Sequence, residues 1–203
     1  MRAKTAVVAM LLVATPALAF LGFNNFLQVS PFLDGNNWFL TQPLVYHVPR
    51  TEAVITVPVG FQTDFASVPR PFWSLLPPWG SYGPAAVVHD FLYWDQQCTR
   101  EEADAVILLA MTESDVGRVD RWVIHHAVHW GGALAWKGNT RARSSGRERV
   151  MPALPTDPNT TWSAYQRSIY DSGHRPEPRP TEAPKPDYCR QAAQAWSTYL
   201  ASQ

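Results

Sequence analysis

Apolar positions recur every three or four residues from Ser81 onward: Ala85, Val88, His89, Leu92 and Tyr93 share one stripe behind Pro84, which suits a first helical turn. This spacing predicts a helix over 83–95. Thr99, with Glu102 three residues later, forms a capping-box signature before "ADAVILLAM" and predicts a second helix reaching about Ser114. "VDRWVIHHAVHWGGALAW" predicts a third, amphipathic and Trp-rich, interrupted or ended at Gly131-Gly132. Upstream the pattern is that of strands. "FNNFLQVSPFLDGNNWFL" predicts a hairpin turning at Asp34-Gly35, and "LVYHV" with "AVITVP" a second strand pair, the small sheet ending near Gly60. "GFQTDFASVPRPFWSLLPPWG" holds four prolines and no sustained period, which predicts an ordered loop pinned by aromatics.

Beyond Trp136 the composition shifts. "KGNTRARSSGRER" is basic and polar and "SGHRPEPRPTEAPKPD" is proline-rich, so both are expected to be flexible or extended, whereas "YCRQAAQAWSTYL" regains helical spacing. The fold class expected is α+β, a small N-terminal antiparallel sheet packed on about three helices. At the start, "MRAKTAVVAMLLVATPALAF" has Arg2 and Lys4 before a short apolar run and Ala17-Leu18-Ala19, the pattern of a signal peptide cleaved after Ala19. The expected organisation is therefore a signal at 1–19, one globular domain at 20–136, a basic and Pro-rich linker at 137–187 and a C-terminal helix at 188–203. Export to the periplasm or medium follows, with no transmembrane segment after cleavage.

Charge narrows the partners. Lys and Arg total 17, as do Asp and Glu, so no basic stripe points to a nucleic acid, and a small-molecule, lipid or cell-envelope substrate is left. In an exported chain the two cysteines, Cys98 and Cys189, are expected to pair, closing a long loop for about 4 kcal/mol in the chain-entropy model; two unpaired thiols are the alternative.

His89-Asp90 is a polar pair inside an apolar helical stripe. Antiparallel packing of the first two helices would bring Asp104 to the turn that carries it. A carboxylate on one imidazole nitrogen fixes the tautomer and raises basicity, leaving the other nitrogen to take a proton from water. Asp90 would be left to bind a hard cation.

"HDFLY" looks like the His-Asp-x-x-Tyr active-site helix of phospholipase A₂-type enzymes, and "EEADAVIL" resembles the Ala-Asp that opens the second helix in their compact viral and bacterial forms. That resemblance implies His89 as water activator, Asp90 as calcium ligand, Asp104 as the carboxylate orienting His89, and Tyr93 as a hydrogen-bond partner of Asp104. The interval in which that family carries a glycine-rich calcium loop here holds Pro77, Pro78 and Trp79. A longer stretch, about Val57 to Ala135, resembles domain-of-unknown-function family 1353 of tailed phages and bacteria through "GFQTDFASVP", "AAVVHDFLY" and the later Ala-Asp. This resemblance implies no activity, but it groups Thr63, Asp64, Ser67 and Arg70 with His89. Asp64 then becomes a second candidate metal ligand and Ser67 a candidate nucleophile, against a reading in which all four serve local loop architecture.

His125 and His129 form an HxxxH pair able to hold zinc if His89, Asp64 or Asp120 supplied a third ligand; Trp122 and Trp130 nearby favour a surface-embedded amphipathic face instead. Phe72, Trp73, Trp79, Trp94, Trp130 and Trp136 could form a lipid- or glycan-touching rim, although aromatic clusters more often serve a core. Three functions follow: a small exported hydrolase of ester or phospholipid bonds, with calcium as the expected cofactor; a zinc-dependent cell-wall peptidase or amidase; and a noncatalytic phage-derived structural or binding module whose His89, Asp90, Asp104 and Asp64 form a buried polar network.

Overall fold

The computed structural model describes residues 22–65, 80–177 and 185–202. The segment expected as a signal, Ser67, Arg70 and the loop aromatics Phe72, Trp73 and Trp79 lie outside the described residues.

β-branched and aromatic residues make two three-stranded antiparallel sheets rather than the single sheet expected. β1 (Gly22–Phe23), β4 (Leu44–His47) and β5 (Val54–Val57) form one, in the order β1-β4-β5; β2 (Val29–Pro31), β3 (Trp38–Leu40) and β6 (Gln62–Thr63) form the other, in the order β2-β3-β6. The predicted hairpin is β2-β3, with Val29 opposite Leu40, and the second predicted pair is β4-β5, with Leu44 opposite Val57. The strands continue past Gly60 because Trp38 and Phe39 pair with Thr63 and Gln62. That pairing carries Thr63 into the interior.

α1 (Gly83–Asp95) and α2 (Arg100–Glu113) keep their predicted bounds. Thr99 opens α2 with the complete capping box, its side chain accepting from Glu102 N and the Glu102 side chain accepting from Thr99 N. α1 is central: the sheets pack on one flank, α2 and α3 (Arg118–Ser144) on another. Its buried positions go almost all the way round, from Ala85 to Asp90 without a gap.

α3 runs unbroken through Gly131-Gly132, where the sequence predicts an interruption or end. Two glycines cost a helix roughly 1 kcal/mol each. Packing offsets this, because Gly132 lies against the Tyr93 hydroxyl, where a Cβ would clash with the oxygen. Replacing Gly132 by Ala is therefore expected to push Tyr93 aside and destabilise the protein by about 1–3 kcal/mol, read as a fall in melting temperature. An unchanged melting temperature would show that α3 shifts freely here.

The stretch expected as linker contains order as well. Residues 137–144 complete α3, with Arg141 and Arg143 in its last turn, where cations complement the helix dipole. Residues 148–151 then return to the β6 sheet: Gln62 N donates to Arg149 O, Phe61 bridges Val150, and Met151 N donates to Gly60 O. α4 (Trp162–Asp171) packs Trp162 and Tyr165 on a satellite core of Phe32, Phe39 and Met151, and Asp34 of the hairpin turn accepts a hydrogen bond from Trp162 N. α5 (Asp187–Ala201) lies along α2 and is joined to the α1–α2 connection by the Cys98–Cys189 disulfide, with Cα atoms 5.5 Å apart. No helix among the described residues is long and apolar enough to cross a membrane.

Candidate functional site

α1 and α2 pack as the short connection requires, and the site follows from that packing. His89 Nε2 stands 3.0 Å from Asp104 Oδ1, and the Tyr93 hydroxyl donates to the same oxygen at 2.6 Å. Arg100 Nη1, one turn before Asp104 on α2, donates to Oδ2 at 3.0 Å. Asp104 thus gathers three donors around one carboxylate. A carboxylate only accepts, so Nε2 of His89 carries the hydrogen and Nδ1 is the basic nitrogen of the neutral ring. The Tyr93 ring lies against the imidazole at 4.1 Å between centroids and edge-on to Trp136. Burial and the bond to Asp104 push the Tyr93 hydroxyl well above its ordinary range, so Tyr93 acts as a donor.

Around His89 opens a cavity of about 330 Å³. Asp64, Asp90, Asn139 and Arg149 give it a polar wall, while Ala127, Val128, Gly131, Gly132 and Ala135 of α3 give it an apolar one. Small residues on α3 are what leave this space beside the helix.

Asp90 is buried, and its Oδ2 accepts a 2.6 Å hydrogen bond from Thr63 Oγ1, the residue that β6 carries inward. Arg149 Nη2 approaches Asp64 Oδ1 at 3.5 Å; its Nε donates to Gln62 O and Gln62 Oε1, and its guanidinium lies over the Phe61 ring. Burial, reinforced by the like charge of Asp64, pushes the Asp90 carboxyl up to about 6, against the opposing pull of Arg149 and the Thr63 hydroxyl. The folded value lies above the ordinary 3.8, so between these two values the folded protein binds the proton more tightly than the unfolded chain does. The contribution of Asp90 to stability is therefore greatest below about pH 4 and falls as pH rises through 6. Replacing Asp90 by Asn should become progressively more favourable relative to wild type from pH 4 to pH 7 in thermal melts. A difference independent of pH would contradict this.

Calcium takes six to eight oxygen ligands. The described residues around Asp90 and Asp64 do not fit it: a guanidinium already neutralises Asp64, a hydroxyl hydrogen already occupies Asp90 Oδ2, and no third carboxylate or imidazole joins them at ligand distance. His125 and His129 stand on the exposed side of α3, their rings 6.1 Å apart, and among the described residues no third acidic, His or Cys ligand converges on them. Partial desolvation lowers the pKa of His125 even on this exposed side, helped by the like charges of His126 and His129. Asp120 sits in the first turn of the same helix, about three turns before the cavity-lining Gly131.

Of the residues singled out in the sequence, Thr63, Asp64, His89, Asp90, Tyr93 and Asp104 come together, and Ser67 and Arg70 lie outside the described residues. Composition hid Arg149, Asn139 and Glu148. The signal that could have exposed them is the apolar couplet Val150-Met151 directly after the charged run, which demands burial. Glu148 is itself buried, accepting from Trp94 Nε1 and from the backbone N–H groups of Arg149 and Val150. Asn139 donates to Tyr93 O at 3.1 Å and so ties α3 to the helix bearing His89.

No curated protein and no solved structure matches the chain. Residues 38–128 match the model of the family described as protein of unknown function (DUF1353). The matched stretch begins at β3, ends within α3, and contains every site residue from Thr63 to Asp104 while stopping short of Asn139 and Arg149. By that match, the chain carries a domain of the DUF1353 family.

Proposed function

We propose that the chain is a small hydrolase of ester bonds, phospholipid esters included, in which His89 activates water and Asp104 orients His89. The observation carrying this reading is the buried imidazole held by a carboxylate at 3.0 Å on the wall of a half-apolar cavity. In the step envisaged, Nδ1 of His89 takes a proton from water as the oxygen adds to the ester carbonyl carbon. The C–O bond to the alcohol then breaks, and the departing alkoxide receives that proton from the imidazolium. Negative charge developing on the carbonyl oxygen would face Arg149, the cation on the polar wall, which takes over the electrostatic duty first assigned to calcium. The apolar α3 wall suits an acyl chain. The disulfide supports export, since such bonds persist in oxidising compartments.

The same network supports a second, noncatalytic reading. Three donors converge on Asp104, an arrangement that also serves to specify a fold. The zinc peptidase reading has no comparable support, because HxxxH lacks a convergent third ligand among the described residues. Hydrolysis of a nitrophenyl ester series and a phospholipid panel, with and without chelator, tests the proposal. Turnover that persists in chelator and falls on replacement of Arg149 by Met is expected, and absence of turnover on the whole panel would favour the noncatalytic module.

A further inference from the structure

α3 is apolar on two opposite faces. Ile124 and Val128 point into the core, but Val119, Trp122, Trp130 and Leu134 point away from it and are 73, 62, 80 and 78 % exposed. With His126 between the tryptophans, they follow one another at three- and four-residue steps and so form a single outward stripe. Isolated surface hydrophobics need no explanation, but two tryptophans and two aliphatics aligned on one helix do. Trp is the side chain best suited to the boundary between water and lipid.

The charge of α3 selects among occupants. The whole chain is balanced, yet this helix carries Arg118, Arg121, Lys137, Arg141 and Arg143 against Asp120 alone, a net charge of +4. Lys137 and Arg141 continue the outward stripe beyond Leu134 at the same steps, and the stripe itself holds no carboxylate. Pairing two copies of this chain along α3 would oppose Arg118 to Lys137 and Arg141 in the antiparallel arrangement and cation to like cation in the parallel one, which disfavours self-association. An anionic bilayer complements both features, taking the tryptophans at its headgroup level and the cations at its surface. Continuity with the cavity is a further argument: Ala127, Gly131 and Gly138, which line it, lie on α3 beside Trp130 and Leu134.

We propose that the outward face of α3 docks the protein on an anionic lipid surface, with the cavity opening along the edge of the docked face. This goes beyond the hydrolase reading and stands without it. The test is co-sedimentation of the full chain with phosphatidylglycerol and with phosphatidylcholine vesicles, monitored also by tryptophan fluorescence. Binding to the anionic vesicles should exceed binding to the zwitterionic ones roughly tenfold or more and weaken in high salt. The triple variant Trp122→Ser, Trp130→Ser, Leu134→Ser should lose roughly tenfold or more of that affinity while melting as wild type does, because the three side chains are exposed. Lys137→Glu with Arg141→Glu should lose the anionic preference. His89→Ala should bind as wild type, so that failure of hydrolysis and failure of docking are read separately. Absent binding to phosphatidylglycerol, equal binding by the triple variant, or a dimer in sedimentation equilibrium that the triple variant abolishes would each overturn the proposal.

Discussion

Replacing His89 by Ala is expected to lower the rate of ester hydrolysis by a factor of about 10² to 10⁴, the usual contribution of a positioned general base. Asp104→Asn should lose a similar factor. An amide presents a donor as well as an acceptor, so it cannot accept from His89, Tyr93 and Arg100 together as the carboxylate does. The double variant should be little slower than either single one, because a base and the group that orients it act as one unit. Stability separates catalysis from scaffolding. Removing Asp104 strands donors in a part-buried place at a cost of about 1–3 kcal/mol, whereas Tyr93→Phe removes one donor and keeps the ring contact with His89. On the catalytic reading, Tyr93→Phe retains much of the turnover and the His89 variant retains much of the melting temperature. Rates that follow melting temperature across all four variants would leave the network as a structural element only.

Reducing the disulfide is expected to cause the largest loss of stability. Cys98 and Cys189 are 91 residues apart, and a loop of that length corresponds to about 4–5 kcal/mol in the chain-entropy model. For a protein of this size that is a fall on the order of 10 °C in melting temperature. α5 buries only Cys189 and Ala192 fully, with Tyr188, Ala195 and Trp196 partly packed on the core, so much of its hold on α2 is half-exposed to water once the bond is broken. The double variant Cys98→Ser, Cys189→Ser should therefore expose α5 to protease before the rest of the fold unfolds. A melting temperature insensitive to reductant would show that packing along α2 holds α5 by itself.

Local features decided by near neighbours were legible in the sequence. α1 and α2 took their predicted bounds because the apolar period, Pro84 and the Thr99–Glu102 capping box all act within one or two turns. The β2-β3 hairpin followed from Asp34-Gly35 for the same reason: the glycine supplies a φ of +67° and the aspartate its own turn hydrogen bonds. The meeting of His89 and Asp104 was also legible, since two helices joined by a short connection have few ways to pack, whereas Tyr93 as a partner of Asp104 was expected only through the resemblance to the phospholipase A₂-type helix.

Long-range contacts decided the remainder. The sequence alone could not say that Gly131-Gly132 leaves α3 intact, because the compensation is a Tyr93 hydroxyl from another helix. The charged run after Trp136 reads as solvated linker until residues 148–151 pair with Gly60 and Gln62, some 87 positions earlier, and bring Arg149 to the cavity. The same contact changes the chemistry expected at Asp64 and Asp90. Side by side, two carboxylates suggest a divalent cation, and only the tertiary structure sets a guanidinium against one of them. Composition and periodicity record what each residue prefers among its neighbours in sequence, whereas a buried charge is decided by the counter-charge it meets in space.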